Sequence, residues 1–461
     1  VCRNLFVHLI YILSLHYKKY NLNIFLETLL TVLYAVIFIL LIYKLKFFRI
    51  EGFSARVVSG VFIMKILAGI GMFFLYTYYY TDRATADIFK YFDDSKIMYD
   101  ALWDKPEDFF RMIFSIGNDS PYFDQYYYQM NNWYRQYESN IYNDSHTIIR
   151  INALIRLFSF GFYNVHTVFM CFISLVGLVA LYKFFVPYMQ HKKRLLFLAV
   201  FLIPSVVFWS SGVLKEAILI FGIGMMLFST SQLLQKKHFL LNTLFLVFSL
   251  VLLMYIKYYI FMIIIPLTII HVWCRLTSDK LAALKYASMA VVCIIAGLTI
   301  HYIFPGLNML QILAMKQNDF VGLAQATHSG SLISEDLLQP TVSDVLIHTP
   351  GAFYNTLVRP YIFEANSLII LFAAIENLFI FAVIIVCLIF SSGKIAHKSV
   401  FIFCLLFFTA LYILTGLTTP VIGAMVRYKV PAMPFLMILL FMLLNSRKVA
   451  EKFPSLKKLI D

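Results

Sequence analysis

The sequence predicts an all-α, polytopic transmembrane bundle of about 11–12 spans, with an external loop that carries juxtamembrane helices. Three observations predict it. Charged residues make up only 13% of the chain, where a soluble domain carries about 25%. Hydrophobic residues make up 61%, and the mean hydropathy is +0.80. Apolar runs of about 20 residues recur along the chain, each long enough to cross a bilayer as a helix. Backbone groups in lipid must pair within their own segment, so such runs fold as helices; the short alternating strands of a β-barrel do not occur.

Hydropathy places spans near 22–43, 57–80, 163–186, 195–210, 214–233, 239–255, 258–274, 286–304, 366–390, 399–416 and 430–445. The shorter run Leu5–Leu15 is read as a further span or an interfacial helix, and no cleavable signal peptide is evident. The connections alternate in charge. One set is basic: Lys44, Lys46, Arg49 and Arg56, then Lys183 and Lys192–Arg194, then Lys236 and Lys237, then Arg275, Lys280 and Lys285, then Lys394 and Lys398. The tail adds Arg447, Lys448, Lys452, Lys457 and Lys458. The positive-inside rule puts this set in the cytoplasm and the alternate connections, 81–162, 211–213, 256–257, 305–365 and 417–429, outside. Lys18 and Lys19 are the exception, falling on the external side.

The chain therefore reads as one integral-membrane domain, 1–461, with two large external loops, 81–162 and 305–365. No linker, low-complexity tract or tandem repeat interrupts it. The net charge of +14 is spread over helix ends rather than gathered on one face, which argues against a nucleic-acid partner. Five of the six cysteines sit in or at the edge of apolar runs without metal-ligand spacing.

The first external loop is where chemistry is expected. Twelve of the chain's 24 Asp and Glu lie between Thr81 and Thr147, among dense aromatics. Residues 86–103 have helical spacing, with Ile88, Phe92, Tyr99 and Leu102 as an apolar stripe. Asp87, Lys90, Tyr91 and Asp94 fall at i, i+3, i+4 and i+7, on another face. A carboxylate there could act as general base on an acceptor hydroxyl or hold a divalent cation through oxygen ligands. The plainer reading is a solvated face with Lys90 and Asp94 as a surface pair. No cofactor motif is present.

Other polar residues mark the external ends of later spans. Pro204 and Gly212 interrupt helix, and Lys215 and Glu216 then fall in the first turn of the next span. Such charges face a bundle interior, or else snorkel and cap. Arg359 precedes the span that carries Glu376 and Asn377, which serve either function or an interhelical hydrogen bond. Arg427, Tyr428 and Lys429 open the last span. A guanidinium beside a tyrosine suits a phosphate, and interfacial anchoring is the plainer reading. An acidic element and several cations on one membrane face suit a ligand with a nucleophilic hydroxyl and a phosphate.

In this arrangement the chain resembles the GT-C superfamily of integral-membrane glycosyltransferases, particularly bacterial cell-envelope members. The likeness rests on an early external loop with Asp87-x-x-x-Tyr91 and the following Asp93-Asp94. It rests also on Phe208-Trp-Ser-Ser-Gly-Val-Leu-Lys-Glu216 and Arg427-Tyr-Lys-Val-Pro-Ala-Met-Pro434. The resemblance implies a polyprenyl-phosphate-linked sugar donor, a glycan, lipid or protein acceptor, and transfer at the outer face of the bacterial inner membrane. Asp87 or Asp94, with Asp93 beside them, would supply the catalytic base. Arg427, Arg359 and Lys215 would neutralise the leaving phosphate, with Tyr91, Tyr428, Glu216 and Lys429 around it. Two other readings stay open. An O-antigen-type polymerase or ligase would rely on His328, His348 and Arg359, and a polysaccharide or lipid transporter would use Glu376 and Glu216 as coupling sites.

Overall fold

The computed structural model describes residues 2–134, 143–326, 330–333, 336–393 and 395–457, with the backbone alone at 2–21 and 456. Lys394 and Lys458 of the basic set fall outside the described residues. The regular elements among the described residues are all helices, and only isolated two-residue bridges stand in for strand pairing. Among the described residues, ten helical segments are long and apolar enough to cross a membrane. The all-α polytopic bundle expected from hydropathy is therefore what the chain forms.

The first helix, α1 (Cys2–Lys44), is continuous, and its membrane-length apolar stretch is Leu22–Lys44. The Leu5–Leu15 run is thus a helical lead-in to the first span, joined to it without a break. The second span begins as α2 (Ala55–Phe74) and ends in a wide π-type turn, Leu75–Tyr79. The first large loop follows, with α3 (Asp87–Asp104), α4 (Pro106–Phe114), α5 (Asp124–Tyr127) and α6 (Ser145–Ser159). Arg156 ties α6 to α3: Nε donates to Ser95 Oγ at 2.8 Å and Nη2 to the Phe92 carbonyl at 2.6 Å. Trp133 stacks between Tyr127 (4.1 Å) and His146 (3.8 Å), which ties residue 133 to α5 and to the start of α6.

The bundle continues with α7 (Tyr163–Phe185), α8 (Lys193–Phe201), α9 (Pro204–Trp209), α10 (Lys215–Leu234), α11 (Phe239–Ile256), α12 (Tyr258–Leu276) and α13 (Ala282–Thr299). The expected continuous span at 195–210 is instead two short helices. Pro204 opens α9 at its first position, where its missing N–H costs nothing, and Leu202 and Ile203 leave helical geometry before it. The second large loop contributes α14 (Met309–Ala326) and α15 (Val342–Val358). Then come α16 (Leu368–Ile389), α17 (Lys398–Thr418), α18 (Ile422–Tyr428), α19 (Met433–Leu443) and α20 (Ser446–Lys452). The last crossing is also interrupted, at Lys429–Ala432 between α18 and α19.

Small residues set the closest approaches. A Cβ on Gly224 of α10 would collide with the carbonyl of Gly177 of α7, so these two helices touch backbone to backbone. A Cβ on Gly69 would lie 2.6 Å from the Ser211 carbonyl, so the turn between α9 and α10 also packs directly on α2. Lys65 seals that turn from below: its fully buried ammonium donates to Ser210 Oγ at 2.6 Å and to the Ser210 carbonyl at 3.1 Å. These contacts fix the height of Lys215 and Glu216. At the opposite end of the bundle Lys193 pairs with Glu51 at 2.9 Å, and Lys192 donates to the carbonyls of Phe441 and Leu444 at the end of α19.

Candidate functional site

Arg427 is the centre of the site. It lies in the last turn of α18, whose start is anchored to the second large loop: the Ile422 N–H donates to the Ser331 carbonyl and the Ile333 N–H to the Pro420 carbonyl. Its guanidinium is spanned by two carboxylates. Nε donates to Glu216 Oε1 and Nη1 to Asp87 Oδ2, each at 2.7 Å. Glu216 is in the first turn of α10 and Asp87 is the first residue of α3, so both carboxylates sit where helix dipoles favour negative charge. Three stretches far apart in sequence are joined through one cation.

A second ionic knot lies beside the first. Asp144, just before α6, accepts from Lys215 at 2.8 Å and from Lys257 at 3.1 Å, one ammonium on each oxygen. Lys215 also donates to Ser145 Oγ and lies 5.0 Å from the Tyr91 ring, while Lys257 sits 4.5 Å from the ring of Tyr428. Lys257 occupies the extended residue between α11 and α12.

Both knots face a cavity of about 900 Å³, in the size range of small-molecule sites. Asp87, Lys90, Asp144, Lys215, Lys257 and Arg427 line its polar part, with Tyr80, Tyr91, Tyr258, Tyr259 and Tyr428. Met254, Ile312, Leu313, Leu323 and Leu414 form an apolar wall, and α14 adds Lys316 and Asp319. The cavity lining is therefore mixed, with charged, aromatic and aliphatic side chains.

Electrostatics separates the acidic residues. Burial works to raise the Asp87 pKa, but Arg427, Lys215 and Lys90 outweigh it and hold the carboxyl below its ordinary range. Asp94 goes the other way: burial raises it, against the hydrogen bonds it accepts. Burial would lower Lys257, yet Asp144 and the neighbouring tyrosines hold it well above the usual lysine value.

Of the residues picked out by sequence, Asp87, Tyr91, Lys215, Arg427 and Tyr428 line the cavity, and Glu216 stands behind Arg427. Others are elsewhere. Asp94 is buried and accepts from the backbone N–H groups of Asn131 and Asn132 at 2.7 and 2.9 Å, so it ties down the loop. Asp93 turns outward to a two-point pair with Arg83. Arg359 lies beside Glu364 at 3.4 Å, outside the cavity lining. Lys429 is buried, donating to Asn377 Oδ1 at 3.0 Å and to the Thr356 and Arg359 carbonyls, and so braces the interruption in the last crossing. Glu376 accepts from the Ser205 N–H and hydroxyl at the start of α9. His348 lies 3.5 Å from Asp344, and His328 lies outside the described residues.

Sequence reasoning missed Asp144, Lys316 and Asp319, and noted Lys257 only as part of a connection. Lys257 did carry a signal, a basic residue in a two-residue turn expected to be external, against the charge asymmetry of the other connections. As for a divalent cation, Asp87, Glu216 and Asp144 each already hold a cationic side chain. Among the described residues no three metal-ligating side chains converge. The site is built from cations and carboxylates already paired with one another. Compared with protein-family models, with characterised proteins and with solved structures, the chain matches none.

Proposed function

We propose that this protein is a membrane glycosyltransferase of GT-C type, using a polyprenyl-phosphate-linked sugar at the outer face of the bacterial cytoplasmic membrane. The observation that carries the reading is Arg427, held between Asp87 and Glu216 on a cavity lined by both ionic and aliphatic side chains. The ionic part suits a phosphate, the tyrosines suit a sugar ring, and the wall of Met254, Ile312, Leu313, Leu323 and Leu414 suits an isoprenoid chain. The basic residues at the opposite end of the bundle support an external position for this end.

In the reaction, Asp87 takes the proton of an acceptor hydroxyl and the resulting oxygen attacks the anomeric carbon. The bond from that carbon to the phosphate oxygen breaks, and the electron pair leaves on the lipid phosphate. Arg427, with Lys215 and Lys257 alongside, stabilises the charge that develops there. Purified protein in vesicles should transfer sugar from a polyprenyl-phosphate donor, and Asp87→Asn should reduce the rate by about 100-fold or more at unchanged folding. Full activity in that variant ends the proposal.

One observation favours a second reading. Two crossings, α8–α9 and α18–α19, are interrupted and pack against each other, as in transporters with discontinuous helices. Ion-driven uptake of a glycan or lipid into vesicles, absent in Glu376→Gln, would support a transporter over a transferase. The polymerase or ligase reading predicts Arg359 to be essential and Asp87 dispensable.

A further inference from the structure

We infer that Asp87 and the ligand's phosphate compete for the same edge of Arg427, so that phosphate binding frees Asp87 into the cavity. The inference rests on the phosphate-binding reading above and adds an order of events to it. The two carboxylates on Arg427 are not equivalent. The Glu216 side chain is 1% exposed and the Asp87 side chain 38% exposed. An anion entering from the cavity therefore meets Arg427 on the Asp87 side. Displacing Glu216 would strand a charge in the protein interior, whereas Asp87 can turn into the polar cavity.

Charge balance leads to the same place. Arg427, Lys215 and Lys257 face Asp87, Glu216 and Asp144, so the paired core is formally neutral. A phosphate added to it brings negative charge that Lys90, the cation lining the cavity beside Asp87, offsets only in part, which favours withdrawal or protonation of a carboxylate. Asp144 is the other candidate to move, but each of its oxygens pairs with an ammonium that is itself 4 or 8% exposed. The groups around Asp87 are Arg427 on α18, Lys215 and Glu216 on α10, Lys90 on its own helix, and Tyr76 and Tyr80 at the end of the second span. Once Arg427 is engaged by phosphate, Asp87 loses its closest cation and becomes available to an acceptor hydroxyl. Donor binding then switches on the base, and acceptor activation follows donor occupancy.

Binding of decyl phosphate to the full chain in lipid nanodiscs tests this. Asp87→Asn removes the competitor, so affinity should rise by about tenfold, as expected for loss of one charge-assisted hydrogen bond at Arg427. Asp87→Ser should do the same, with binding measured per folded protein. Unchanged or weaker binding in both variants overturns the inference. The Glu216→Gln, Arg427→Gln double variant, which removes a buried pair together, separates the two readings. If it binds as the wild type does, the phosphate site itself is wrong. If it loses binding while the Asp87 variants fail to tighten, only the competition is wrong.

Discussion

Lys215 and Lys257, carried by different parts of the bundle, end on the two oxygens of one carboxylate, that of Asp144. That single side chain fastens the first large loop to the start of α10 and to the junction of α11 with α12. Both ammonium groups are nearly buried, so Asp144→Ala leaves two cations without this partner. We expect a destabilisation of about 3 kcal/mol, read from thermal or denaturant unfolding. The double variant Asp144→Ala, Lys257→Met should recover part of it, because the sites are coupled. Additive losses would mean that the pair is not energetically linked.

Asp87 and Asp94 should separate cleanly. Asp94→Asn replaces a buried carboxylate that accepts two backbone N–H bonds, and should cost about 1–3 kcal/mol of stability while leaving residual transfer per folded molecule intact. Asp87→Asn should do the reverse, abolishing transfer with less than about 1 kcal/mol lost, since its side chain is partly solvated. Parallel melting and transfer assays on both variants check this.

Acid should affect the two carboxylates in opposite directions. Asp87 has a lowered pKa in the folded protein, so its contribution is present above the unfolded carboxylate value of about 3.9 and fades as pH falls through the lower folded value. Asp94 has a raised pKa, so at neutral pH its ionised form is disfavoured by folding, and that penalty is relieved as pH drops through the folded value. The stability gap between wild type and Asp87→Asn should therefore narrow below about pH 4. The gap for Asp94→Asn should begin to change at higher pH. Identical profiles for the two variants would contradict these assignments.

The contact of α7 with α10 sets the depth of Lys215 and Glu216. Gly224→Ala places a methyl against the Gly177 carbonyl and should cost about 1–3 kcal/mol and weaken ligand binding together. Gly60→Ala, where a Cβ meets nothing within 4 Å, should be close to neutral. Circular dichroism melts with decyl phosphate binding on each variant provide the comparison.

Much of this architecture was legible in the residues, for physical reasons that also explain the failures. Continuous apolar runs cannot be stable in any other form within lipid, so most spans emerge close to their expected bounds. Residues 195–210 are equally apolar, and hydropathy alone cannot tell one helix from two broken at Pro204. Asp87, Lys215 and Arg427 were legible because charge at the end of an apolar run is costly unless it faces something polar. Asp94 shares a helical face with Asp87, as the spacing implies, but residues 131–132 fold over that part of α3, which no local pattern encodes. Lys429 follows Arg427 by two positions, about 200° around a helix, so both could not point into one cavity. Asp144 was invisible because a loop carboxylate acquires its two lysines only through the tertiary fold.

The most direct test is an experimental structure of the protein in a lipid nanodisc with decyl phosphate bound. The account predicts the phosphate at Arg427 in hydrogen-bonding range of Lys215 or Lys257, with the alkyl chain along Met254 and Leu313. Phosphate found only among the basic residues at the opposite end of the bundle, with the Arg427 cavity closed to it, would contradict the account.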